Sequence, residues 1–157
     1  MSSLEQITYE AGRVSLAEQE SVVVGIRQRT GTLLAAHALV ASFLGATAVR
    51  SRGGLYVLGW VAMAALVSGL VIAAILLAPW RLSFAANAND LYDDLYEQAA
   101  EEATAATLGW LAGAGYGYQQ LREANVGRVR WMSFLSGLLG VVMVVQTLTW
   151  LAALAVE

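Results

Sequence analysis

The sequence predicts an all-α integral membrane protein with three transmembrane helices, an amphipathic amino-terminal helix, and a cytoplasmic helical segment between the second and third crossings. Three observations carry this. Hydrophobic residues make up 58% of the 157 and charged residues 13%, with a single proline, which is too apolar a balance for an ordinary soluble domain. Three stretches, Thr32 to Val49, Leu55 to Ala78 and Met132 to Val156, meet or approach the roughly 20 apolar residues that cross about 30 Å of hydrocarbon. The nine basic residues are all arginine and most of them flank these stretches, where cationic side chains reach the headgroups.

Residues 1–30 place Leu4, Ile7, Val14, Leu16, Val22, Val23 and Ile26 among Glu, Gln and Arg. This pattern predicts an amphipathic helix, weakened by Gly12 and Gly25, that packs against the middle segment. Residues 31–79 form a transmembrane hairpin. Its first crossing lies in "RQRTGTLLAAHALVASFLGATAVR" and is the weakest of the three. Leu33, Leu34, Leu39, Val40, Phe43, Leu44 and Val49 supply roughly −3 kcal/mol of insertion free energy and His37 offsets part of it. Insertion therefore relies on the second helix. A cleaved signal peptide is disfavoured, because about thirty residues carrying Glu5, Glu10, Glu18 and Glu20 come first. The second crossing is free of charge and is closed by Pro79, Trp80 and Arg81, where proline stops the helix and the other two anchor at the interface. The turn "RSRGG" is short, which predicts antiparallel packing of the pair.

Residues 80–130 form the predicted cytoplasmic helical segment. Leu91, Leu95, Ala99, Ala103, Ala106 and Trp110 fall on one helical stripe, with Asn89 or Asp90 as cap and Asp93, Asp94 and Glu97 at the positive end of the dipole. Leu111, Ala114, Tyr118, Leu121, Asn125, Arg128 and Met132 then repeat at spacings of three and four, a heptad-like seam leading into the last crossing. Gly113, Gly115 and Gly117 leave two outcomes open, a continuous helix or a bend, since each glycine costs about 1 kcal/mol in a helix interior. Residues 131–157 form the third crossing, which meets its first charge at Glu157.

The arginines set the orientation. Seven of them (Arg13, Arg27, Arg29, Arg81, Arg122, Arg128, Arg130) fall on the side of the amino terminus and the middle segment, and Arg50 and Arg52 fall on the other. Basic segments stay cytoplasmic, so the amino terminus is inside and the carboxyl terminus outside.

Composition excludes several chemistries. Without cysteine there is no disulfide framework or thiolate site, and without lysine no Schiff base or lysine-dependent phosphate loop. The net charge of −3 gives no reason to expect nucleic acid. Asp90, Asp94, Glu97 and Glu101 share a helical face but have no accompanying histidine or second cluster, so they read as a solvated face. "GAGYGY" lacks dinucleotide spacing and follows a helix, so it reads as a helix break or a close-packing patch. No metal, cofactor or enzymatic activity is predicted.

Two residue groups remain as candidates. Trp110, Tyr116, Tyr118 and Arg122, with Asn125 on the same seam, could stack a nucleotide base and meet its phosphate or dock a cytoplasmic protein. Packing and interface anchoring explain the same residues. Within the crossings, His37, Gln146 and Ser68 are the candidate polar residues, since polar groups in lipid are costly. For His37 the readings are a hydrogen bond to a neighbouring helix, proton sensing or a pore lining; for Gln146, an amide bond across helices or to its own copy. Small residues four apart, such as Ala38, Ser42 and Ala46, or Ala65 and Gly69, favour self-association. Three helices alone cannot enclose a pore, so a conduction function requires several copies.

The basic "RQRTGTLL" running into "AAHALVASFLG", the "PW" that ends the second crossing, and "REANVGRVRWMSF" leading into the third resemble a family of small actinobacterial three-pass membrane proteins. That family is similar in layout to the transmembrane effectors of Pycsar antiphage systems. The resemblance spans about Val22 to Val156. It implies a non-enzymatic inner-membrane protein that answers a cyclic nucleotide and impairs the membrane. Where those effectors tend to carry an acidic–basic pair before the first crossing, this chain has Arg29, Thr30 and Gly31, so no ligand role is carried over there. A structural or assembly subunit docking a cytoplasmic partner, and a holin-like pore former, are the alternatives.

Overall fold

The computed structural model describes residues 4–47, 50, 57–84 and 103–155. Its elements are α1 (Leu4–Val40), which runs on into a π-helical turn (Ala41–Gly45), α2 (Val57–Leu77) and α3 (Ala103–Ala155). The fold is all-α among the described residues. α2 and α3 are long and apolar enough to cross a membrane, with mean hydropathies of 2.5 and 2.0. Only 22% of each apolar window is buried in the protein, so most of that apolar surface faces outward.

Sequence periodicity explains the two long helices. On α1 the buried residues Leu16, Val23, Thr30 and His37 recur every seven positions, and on α3 so do Asn125, Met132, Leu139, Gln146 and Ala153. A period of 3.5 keeps one narrow stripe turned toward a partner along the whole helix. No proline interrupts Ala103 to Ala155, and α3 continues through Gly113, Gly115 and Gly117 without a break. The seam predicted from Leu111 to Met132 is correct except at Arg128, which is exposed.

Three expectations need correcting or fall outside the described residues. α1 has no interruption between the amino-terminal arm and the apolar stretch, so no separate helix begins at Thr32. Of the seven apolar residues in the arm, Leu16, Val23 and Ile26 are buried, whereas Leu4, Ile7, Val14 and Val22 are exposed; a heptad stripe is narrower than a globular amphipathic face. The stripe from Leu91 and its cap at Asn89 or Asp90 lie outside the described residues until α3 begins at Ala103, and so do the carboxylates Asp90, Asp94, Glu97 and Glu101.

The chain divides into two compact units: an arm unit of Met1–Val23 with Trp80–Val129, and a hairpin unit of Val24–Pro79 with Arg130–Glu157. In the hairpin unit α1 and α2 are antiparallel. Arg27 Nη2 donates to the Ala78 carbonyl, 3.5 Å away, His37 lies against Gly69, and Val40 and Leu44 join the buried cluster of Ala62 and Trp150. Arg27 thereby caps a free carbonyl at the end of α2, where Pro79 ends the helix.

Candidate functional site

In the arm unit, Tyr9 stands between two of the predicted ligand residues. Its ring centroid is 5.7 Å from that of Trp110 and 5.6 Å from that of Tyr118, with interplanar angles of 51° and 54°, a tilted geometry that aromatic pairs favour. The rings meet because the backbones come close beneath them. A Cβ on Gly12 would lie 2.9 Å from the Gly115 carbonyl oxygen, and one on Gly115 would lie 3.1 Å from the Thr8 backbone. Seven residues further along both helices, Gln19 Nε2 donates to the Arg122 carbonyl at 3.0 Å. Both contacts advance in the same direction, so α1 and α3 are parallel in this unit. Close packing is thus the correct reading of "GAGYGY" at Gly115, while Gly113 and Gly117 face open space.

The five candidate ligand or partner residues have different surroundings. Trp110 and Tyr118 are half-buried against Tyr9, and Tyr116 is 65% exposed. Asn125 is buried and its Nδ2 donates to the Ser83 carbonyl at 2.9 Å. With Arg128 Nη1, which donates to the Arg81 carbonyl at 2.7 Å, it straps residues 81–83 along α3. Arg122 lines an open cleft of about 340 Å³ whose other lining residues are Ile7, Thr8, Ala11, Ser15, Gln119 and the two glycines Gly12 and Gly115. Burial pushes the Tyr118 phenol above its ordinary pKa, Tyr9 adds to the rise, and Arg13 opposes it.

The hairpin unit is apolar on its outside, and three polar residues lie among the apolar ones that fill its interior. Val57, Trp60, Val67, Val71, Phe134, Val141 and Leu148 are exposed, while Thr30, His37 and Gln146 are buried. The Thr30 hydroxyl donates to the Ile26 carbonyl at 2.8 Å. Both ring nitrogens of His37, both amide atoms of Gln146 and Nε1 of Trp150 have no hydrogen-bond partner. A Cβ on Gly69 would stand 2.6 Å from His37 Nε2, and one on Gly45 would stand 3.3 Å from the Trp150 ring. These two glycines make the room in which the imidazole and the indole are enclosed. Ser68 is exposed and its hydroxyl donates to its own helix at Ala64, 2.8 Å away, so it does not join His37 and Gln146.

Sequence reading missed Tyr9, Gln19 and Trp150. Tyr9 is seven residues before Leu16 and Trp150 four after Gln146, so extending each stripe by one step would have found both. Compared with known proteins, the chain matches no family model, no curated protein and no solved structure.

Proposed function

We propose that the protein is a non-enzymatic effector of the bacterial inner membrane that perturbs membrane integrity on a cytoplasmic signal. The observation that carries this reading is the apolar exterior of the hairpin unit, with His37 and Gln146 enclosed without partners in its interior. An apolar surface is stable in lipid, and polar residues enclosed within membrane helices are functional candidates because they are costly. In this reading the stretch Thr32 to Val49, α2 and the part of α3 from Met132 onward are three crossings, with the amino terminus and the arm unit cytoplasmic. The arm unit is the receiver: the cleft beside Arg122 offers one guanidinium and the Ser15 hydroxyl to an anionic ligand such as a cyclic nucleotide, while the Thr8 hydroxyl and the Gln119 amide donate to Leu4 and Glu123. Antiphage defence is the role that the layout resemblance implies, and self-association of the apolar faces would spread the perturbation.

The test is induction in bacteria with membrane potential and viability followed, with and without added cyclic nucleotides. Depolarisation that depends on a nucleotide and is lost in Arg122→Ala supports the reading; a silent, well-expressed membrane protein sinks it. The mutual engagement of Tyr9, Trp110 and Tyr118 favours a second reading, a structural subunit docking a cytoplasmic protein, because it leaves no free pair of rings for a base. Stable co-purification of a partner without depolarisation would select it.

A further inference from the structure

We infer that the cytoplasmic end of the hairpin unit is a binding site for an anionic phospholipid whose headgroup carries no amine, with Arg29 and Arg130 as its phosphate contacts and Trp131 and Phe134 as its platform. The inference rests on the three-crossing reading above and names the lipid that the protein holds at that border.

The charge of the hairpin unit is one-sided. Among its described residues the charged ones are Arg27, Arg29, Arg50 and Arg130, and no Asp or Glu accompanies them. Arg27 is half-buried and engaged at the Ala78 carbonyl. Arg29 and Arg130 are exposed, and neither has a hydrogen-bond or ion-pair partner among the described residues. Both belong to one end of the unit. Trp150 of α3 lies against Gly45 of α1, and Met132, Leu135 and Leu139 before it are buried, so α3 follows α1 back from that contact toward the end where Arg27 meets Ala78. By the helix rise Arg29 is about 24 Å and Arg130 about 30 Å from the shared level, which leaves them about 6 Å apart in height.

Arg130, Trp131 and Phe134 lie on one side of α3, at i, i+1 and i+4. The two rings stack, with centroids 5.4 Å apart and planes 23° from parallel, and they are 52% and 58% exposed. Stacking makes them one flat apolar surface turned outward. That surface stands beside a cation at the start of a run without charge, Trp131 to Ala155. Along the axis the indole follows the guanidinium-bearing residue by about 1.5 Å and the phenyl ring by about 6 Å, which is the order of phosphate, glycerol ester and acyl chain in a phospholipid entering the bilayer. Indoles and arginines are favoured at that level.

The absence of carboxylates in the described part of the unit selects the headgroup. A guanidinium pairs with phosphate through charge-assisted hydrogen bonds, and every phospholipid offers a phosphate. A zwitterionic headgroup also brings an ammonium, which the two guanidiniums repel and no described carboxylate of this unit receives. A headgroup that ends in hydroxyls brings the phosphate alone, and its negative charge is met in full by the arginines.

The test takes the full chain in an uncharged detergent and titrates it with short-chain phosphatidylglycerol, phosphatidylcholine, phosphatidylethanolamine or inorganic phosphate, reading affinity from the rise in unfolding temperature with concentration. Phosphatidylglycerol should bind saturably and more tightly than the other three. Its affinity should fall about fivefold in Arg130→Gln and in Arg29→Gln, as for one cation each at an anionic surface, and should also fall in Trp131→Ala. Arg50→Gln, on the far side of the first crossing, should leave it unchanged. Helical circular dichroism confirms that each variant folds. No saturable binding, equal binding of the three lipids, or affinity indifferent to both Arg130→Gln and Arg29→Gln would overturn the lipid site and leave the membrane-effector reading standing, since depolarisation is measured separately. Inorganic phosphate that binds as tightly as the lipid would make this a simple anion site and overturn it too. A chain that stays in solution without detergent would overturn the three crossings and the site with them.

Discussion

Asn125 and Gln146 stand three heptads apart on the same face of α3, both amides and both buried, yet their surroundings are opposite. Asn125, in the arm unit, donates to the Ser83 carbonyl; Gln146, in the hairpin unit, has neither amide atom paired. The surfaces around them differ too. The arm unit mixes exposed Val14 and Val22 with Glu10, Arg13, Glu18 and Glu20, while the described part of the hairpin unit has an almost uncharged exterior between its terminal arginines. On the membrane reading proposed above, one seven-residue seam serves two solvents. The amide in the arm unit is tied off to a carbonyl, and the one in the hairpin unit is enclosed without a partner.

The sharpest way to break this comparison uses two valines of equal exposure. Val14 on α1 and Val67 in the middle of α2 are both 52% exposed. If Val67 faces hydrocarbon, Val67→Arg should cost about 2.5–3.5 kcal/mol of insertion, and carbonate-resistant membrane recovery should collapse. Val14→Arg, facing water, should stay within about 0.5 kcal/mol. Equal recovery of the two variants would refute the two-solvent account.

A second pair concerns the glycines at the closest approaches. In the arm unit a Cβ at Gly115 meets the backbone of Thr8, and in the hairpin unit one at Gly69 meets the end of the His37 side chain. Backbone cannot yield and an imidazole can turn, so Gly115→Ala should destabilise by about 1–3 kcal/mol, the range for overpacking, and Gly69→Ala by less. Gly127 opens onto free space, and Gly127→Ala should stabilise α3 by up to about 1 kcal/mol. Thermal unfolding in detergent ranks the three, and a Gly115→Ala protein as stable as the parent would mean the helices are not locked there.

What was legible beforehand follows from which physics is local. The apolar lengths of α2 and α3, the stop at Pro79 and the antiparallel hairpin turn depend on a few neighbouring residues. Continuity of α1 and α3 does not. Gly25, Gly113 and Gly117 argue locally for a bend, and the seam that overrides them emerges only over five or six heptads of partner contact. The surroundings of the candidate surface were hidden for a related reason: Trp110, Tyr116, Tyr118, Arg122 and Asn125 are close in sequence, but which rings are engaged is decided by Tyr9, about a hundred residues away. His37 and Gln146 were visible as polar breaks in apolar runs. That their atoms have no partner is a property of the packed interior alone.

The Tyr118 phenol tests the arm unit by pH. Burial, then Tyr9, hold its pKa above the ordinary 10.0, against the pull of Arg13. A raised acid favours the neutral form in the folded state, so this contribution to stability is complete below pH 10.0 and is lost as pH rises through the higher folded value. Near-ultraviolet circular dichroism of the aromatic cluster should therefore weaken only in that alkaline window. Tyr118→Phe should flatten the dependence, and Arg13→Ala should move it further alkaline. A transition that persists unchanged in Tyr118→Phe would assign it elsewhere.

The smallest effect belongs to Ser68. Its hydroxyl and that of Thr30 make the same bond to a carbonyl four residues back, each at 2.8 Å, but Thr30 is fully buried in the seam and Ser68 is exposed. A hydroxyl tied to its own helix satisfies itself and contributes little to association, so position decides the outcome. Ser68→Ala should shift stability by no more than about 0.5 kcal/mol, as for surface sites without special partners. Thr30→Ala removes a methyl group as well as the hydroxyl from a filled interior and should cost more. If Ser68→Ala instead loosened the protein or changed its oligomeric state in detergent, the outer face of α2 would be an interface between copies and not a lipid surface.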